Sequence, residues 1–99
     1  MVLTILLACQ PIGVQAHSPE SMTLEYDWET QVLTVYIEHH VSDPLTHYIS
    51  EITVYKNSGL NEVAYRDYEN QTTTSGMSDT FEITTLHGDV LIVTASCIE

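Results

Sequence analysis

Five side chains of this 99-residue sequence offer nitrogen or sulfur donors in a pattern that invites coordination chemistry: His17, His39, His40, His47 and Cys97. Imidazole and thiolate suit iron, copper or zinc, whereas calcium and magnesium favour oxygen ligands. His39 and His40 close an alternating apolar run, and His47 follows the short turn-rich segment "VSDPLT". No compact ligand motif such as Cys-x-x-Cys is present, so a site would have to be assembled from distant segments. The plainer reading stands beside this one. Histidines are ordinary in polar loops, His87 sits in a His-Gly-Asp turn open to solvent, and a lone cysteine usually packs as a small hydrophobe.

The elements that must bring these residues together read as β-strands. Apolar positions recur with period two, and no stretch sustains the 3.6-residue period of an amphipathic helix. Met22, Leu24 and Tyr26 mark a first strand, and Asp27 to Thr30 a turn with Trp28 as a partly buried anchor. Leu33, Val35 and Ile37 then alternate with Thr34, Tyr36 and Glu38. Successive strand side chains point to opposite faces, so His39 continues the apolar face and His40 falls on the other. Asp43-Pro44 reverses the chain. A strand over Tyr48 to Lys56 follows, with Ile52 and Val54 inward, and Asn57-Ser58-Gly59 is a hairpin signal. Val63 and Tyr65 return along it, "ENQTTTSGMSD" reads as a polar loop, and Phe81 and Ile83 mark another strand. The last strand runs from Val90 to Cys97.

Strands of this length and spacing predict an all-β fold, an immunoglobulin-like antiparallel β-sandwich of about seven strands. Its geometry bears on the donors. His39 ends one strand and His47 begins the next, so both belong at one end of the sandwich. Cys97 closes the last strand, and His17 precedes the first and can fold over the same rim.

Charge narrows the function classes. Fourteen Asp and Glu face only Lys56 and Arg66, for a formal net charge of −12. Such a chain repels nucleic acid and anionic membrane surfaces. Residues 1–16 carry no charge and read as a leader, with 17–99 as the sandwich domain. Val14-Gln15-Ala16 resembles a signal-peptidase site, and Leu6-Leu7-Ala8-Cys9 approximates a lipobox. A third reading keeps Val2 to Leu7 as a strand. The apolar part is too short for a transmembrane span. The expected location is extracellular or at the cell surface, with a lipid anchor under the second reading. If the leader is removed at Ala16, Cys97 is the sole thiol; if it stays, Cys9–Cys97 is the one candidate pair. Asn70-Gln71-Thr72 is a glycosylation sequon on the longest polar loop.

His17-Ser18-Pro19, the stretch from His39 through "HYISEITVYKNSG" at His47, and a late strand ending in Cys97 together resemble the iron-binding domain of the desulfoferrodoxin and neelaredoxin superoxide reductases. The resemblance spans most of residues 17–97 and is most specific at His47-Tyr48-Ile49. It implies an immunoglobulin-like sandwich holding ferrous iron by equatorial imidazoles and one axial thiolate, with an open position for superoxide and an electron-donor partner. His17 would match the first ligand, His39 or His40 the next, His47 the one before Tyr-Ile, and Cys97 the thiolate. The sequence departs from the family at two points. Gln15-Ala16 stands where the enzymes carry Glu-Lys, and Cys97-Ile98-Glu99 stands where they carry a further His.

Two other functions compete. Cleavage after Ala16 would make His17 the N-terminus, and its amine and imidazole with a second His would suit a copper carrier. A structural surface domain binding no metal is the third, forming homo-oligomers or filaments through strand edges. The sequence carries no nucleophile elbow, P-loop or dinucleotide fingerprint.

Overall fold

A computed structural model describes residues 2–5, 11–12 and 20–98, with side chains over 20–98. The strands are β1 (Val2–Ile5), β2 (Pro11–Ile12), β3 (Ser21–Asp27), β4 (Val32–Glu38), β5 (Tyr48–Lys56), β6 (Glu62–Asp67), β7 (Gly76–Glu82) and β8 (Val90–Ile98). There is no helix among the described residues, and so none long and apolar enough to cross a membrane.

The strands form a two-layer β-sandwich. One layer runs β3-β4-β7 and the other β1-β8-β5-β6, with β2 also on β8. Residues 20–98 contribute six strands, β3 to β8, all paired antiparallel. β1 and β2 add parallel pairings to β8, with Val2 opposite Val90 and Pro11 opposite Cys97. A strand lies over Val2–Ile5, within the Val2 to Leu7 stretch that one of the three readings of residues 1–16 keeps as a strand, and the junction between residues 16 and 17 lies outside the described residues.

The alternation expected from the sequence is the alternation that packs. Met22, Leu24, Leu33, Val35, Ile37 and Phe81 line the inner face of the three-stranded layer. Ile49, Ile52, Val54, Leu91, Val93 and Ala95 face them from the other. Each fully buried Leu, Ile or Val removes enough apolar surface from water to contribute about 1.5–3 kcal/mol. One boundary differs from expectation. The polar segment read as a loop through Asp79 becomes strand at Gly76, because its hydroxyl-bearing residues lie on the solvent side of β7 while the ladder to β4 runs from Gly76 to Glu82.

Among residues 20–98, three connections cross between layers. Residues 39–47 leave β4 for β5, residues 68–75 return from β6 to β7, and residues 83–89 pass to β8. The first two lie at one pole, since Glu38 pairs with Gly76 and Tyr48 with Ile98. That pole also holds His39, His40, His47 and Cys97.

Along one flank the layers are fastened by Arg66. Its Nη1 donates to Asp79 Oδ2 at 2.7 Å and to the Thr80 carbonyl at 3.1 Å. The guanidinium lies 4.6 Å from the centre of the Phe81 ring. Tyr68 donates its hydroxyl to the same Asp79 oxygen at 2.6 Å. Burial raises the Asp79 carboxyl, but the bonds from Tyr68, Arg66 and the Thr80 amide outweigh it and hold the group below its ordinary value.

Candidate functional site

His39 is held by the continuation of the β4–β7 ladder beyond its last paired residue. Its amide donates to the Ser75 carbonyl at 2.9 Å, and that of Val41 to Thr74 at 2.8 Å. The backbone therefore stays extended through the crossover, and the inward face of Leu33, Val35 and Ile37 continues to His39, which is fully buried. His40 takes the opposite side, as parity predicts. It is exposed, and its amide and Nδ1 reach Glu20 carboxylate oxygens at 3.1 and 3.3 Å.

His47 reaches the same interior by a different device. The turn begins at Asp43, whose carbonyl accepts from the His47 amide at 2.9 Å and whose Oδ1 accepts from Leu45. Further along β5 the inward residues are Ile52 and Val54, and strict alternation back from them would aim His47 outward. A bulge at Ser50 resets the parity. Ile49 pairs with Cys97 and Glu51 with Ser96, leaving Ser50 unmatched. Ile49 therefore turns inward and His47 lies on its parity. A bulge re-aims a side chain in this way wherever one strand carries an extra residue.

The two imidazoles meet edge to face, with ring centres 5.0 Å apart and planes at 86°. Both Nε2 atoms are buried. Sequence reasoning overlooked the residue that organises them. Gln71, placed in a polar loop by its neighbours, is only 3% exposed. Its Oε1 lies 2.9 Å from His39 Nδ1, and its Nε2 donates to the carbonyls of His39 at 2.8 Å and Thr73 at 2.9 Å. Its own amide donates to Pro44 at 3.0 Å. One glutamine thus ties the 68–75 crossover to the start of the 39–47 crossover and to the turn at its middle. No local pattern announces it, because a buried amide in a run of Thr and Ser looks like any other loop residue.

The remaining donors are distributed differently. Cys97 is fully buried, opposite Ile49, and disulfide-bonded. In that state Cys97 is not the thiolate expected as axial ligand, since a disulfide sulfur lacks the negative charge that makes thiolate a metal ligand. The chain's other cysteine, Cys9, lies outside the described residues, as does His17. His87 is far from this pole and stacks on Trp28, with ring centres 4.3 Å apart. Among the described residues, no group of three or more His, Cys, Asp or Glu is disposed to hold a metal ion. What the described residues bring together is a pair of imidazoles, His39 and His47, with Gln71 against one of them.

A shallow groove of about 530 Å³ runs beside this pole on the outer face of the three-stranded layer. Ser21, Thr23, Tyr36, His40 and Ser78 line it, and neither His39 nor His47 opens into it. No family model matches the chain, and no curated protein or solved structure matches it.

Proposed function

We propose that this protein is a transition-metal-binding β-sandwich domain whose ligands include His39 and His47. The observation that supports the reading is the contact of a fully buried imidazole, His39, with the half-buried imidazole of His47 at the pole where the chain changes layers, the first held by a buried glutamine. Burial deprives a polar ring of water and is costly unless the ring nitrogens are used. Two imidazoles brought edge to face offer nitrogen donors of the kind transition metals take, and outer-shell hydrogen bonding to a ligating ring is the usual companion of such ligation. Iron is the metal that the resemblance to superoxide reductases implies. A centre of that kind needs two further donors, the His17 imidazole and a reduced Cys97 thiolate, as well as an electron donor. With Cys97 in a disulfide the set is nitrogen-rich, which suits copper or zinc as well.

The test is metal titration of the full chain, followed by elemental analysis after desalting. One ion per chain is expected for Cu(II) or Zn(II), and for Fe(II) under anaerobic conditions and reductant. His39→Ala and His47→Ala should each lower affinity at least tenfold, by loss of a ligand, whereas His40→Ala and His87→Ala should leave it unchanged. Equal losses from all four variants would mean non-specific binding and sink the reading.

A second reading has one observation of its own. β1 adds to β8 as a parallel strand joined to β3 through residues 6–20, so the same strand offered to a neighbouring copy would link chains. Concentration-dependent oligomers that disappear when residues 1–12 are deleted, from a protein that retains no metal, would favour a structural surface domain.

A further inference from the structure

We infer that Gln71 is a positioning residue that fixes His39 as the Nδ1–H tautomer and so makes Nε2 its donor nitrogen; the metal part of this inference rests on the function proposed above. A glutamine amide has one end that only accepts and one that only donates. Around Gln71, two neighbours are carbonyl oxygens, those of His39 and Thr73, at 2.8 and 2.9 Å from one end. A carbonyl can only accept, so that end must be the NH₂. The other end is then Oε1, and the peptide N–H of Ile49 pointing at it from 3.4 Å agrees. Turning the amide over would set oxygen against two carbonyls and NH₂ against a peptide N–H, three repulsive contacts in a buried setting.

With Oε1 so fixed, His39 Nδ1 at 2.9 Å must carry the hydrogen. A neutral imidazole with hydrogen on Nδ1 has its lone pair on Nε2. That atom is buried on the side of the ring remote from Gln71, and the His47 ring packs edge to face against the same imidazole. The two carbonyl bonds do a second task. Because one of them is to the His39 carbonyl itself, the ring and its own backbone are gripped by the same amide, which removes rotation about the side-chain bonds as a freedom to be lost on ligation. The Gln71 amide to Pro44 extends the grip to the turn that carries His47. The Gln71 side chain therefore sets the tautomer of His39 and its orientation, while the backbone N–H of the same residue ties down the turn that leads to His47.

The experiment has two readouts that fail separately. Long-range ¹H–¹⁵N correlation spectra of the metal-free full chain should show His39 with a protonated Nδ1 and an unprotonated Nε2. The opposite tautomer would overturn the inference without any variant being made. Gln71→Leu, checked for a native amide spectrum, should lose the single tautomer and bind Zn(II) about 10–100-fold more weakly, the usual cost of removing an outer-shell partner. Gln71→Glu keeps the acceptor facing Nδ1, so it should keep the tautomer even if its lost donors lower stability. Unchanged tautomer and unchanged Zn(II) affinity in Gln71→Leu would refute the positioning role. If wild type binds no Zn(II) yet shows the Nδ1–H tautomer, and Gln71→Leu scrambles it, the tautomer assignment stands and the proposed metal function falls.

Discussion

Replacing Gly76 by alanine should be the most damaging single-methyl change at the histidine pole. A Cβ built at Gly76 would lie 2.1 Å from the Ile37 carbonyl oxygen, 3.1 Å from its carbon and 3.2 Å from Glu38 Cα. All three are backbone atoms, so no side chain can swing away. The φ of +155° adds backbone strain for any residue with a Cβ. β4 cannot yield, because Ile37 and His39 are anchored in the interior on either side. β7 must move off instead, by about 1 Å if an ordinary carbon–oxygen contact is to be restored. Such a shift breaks the Ser75 and Thr74 bonds that hold the amides of His39 and Val41. Two backbone hydrogen bonds at about 1 kcal/mol each, with about 1–3 kcal/mol for overpacking, give a loss of roughly 3–5 kcal/mol. Against the ~5–15 kcal/mol of a typical domain this is a large fraction. Equilibrium urea unfolding measures it, with Gly59→Ala as the control. Nothing lies within 4 Å of a Cβ at Gly59, so that change should stay within about 0.5 kcal/mol. Gly76→Ala as mild as the control would show that the Glu38–Gly76 register, and with it the placement of His39, is wrong.

Two further outcomes follow from the flank and from the interior. Asp79→Asn should destabilise the fold by about 1–2 kcal/mol near neutral pH, since a carboxylate bonded to Tyr68 and Arg66 is replaced by a neutral amide. The Asp79 carboxyl is held below its unfolded value, so its contribution is complete above the ordinary carboxylate range and fades as pH falls through the lower, folded value. Wild type and variant should therefore converge in acid, and parallel stability curves from pH 7 to pH 2 would refute the assignment. Cys97 is disulfide-bonded, so alkylation of unfolded, unreduced protein should leave it unmodified, and only prior reduction should expose it. Mass spectrometry showing alkylated Cys97 before reduction would restore the thiolate as a candidate ligand.

What the sequence discloses of this site is what strand parity controls. The run Leu33, Val35, Ile37 extends by simple counting to His39 and away from His40, and the backbone bonds to Ser75 and Thr74 keep the count valid past the end of β4. Parity fails where the ladder gains a residue. The apolar positions Ile49, Ile52 and Val54 contain that irregularity in plain view, a spacing of three followed by two, and it is the spacing that turns His47 inward. Gln71 is illegible for another reason. Its importance lies in contacts with residues 32 positions back and 22 positions back, at His39 and Ile49, which no local pattern encodes. The hydroxyl-rich run before Met77 likewise reads as loop, because small polar residues favour turns in isolation. It is loop through Ser75, and pairing with β4 makes strand of the chain from Gly76, a residue small enough to let the strands begin their approach there. The two histidines and the glutamine that governs them thus owe their meeting to one bulge, one glycine and two crossovers. If any of these four were displaced, the imidazoles would remain in the sequence and the site would be gone.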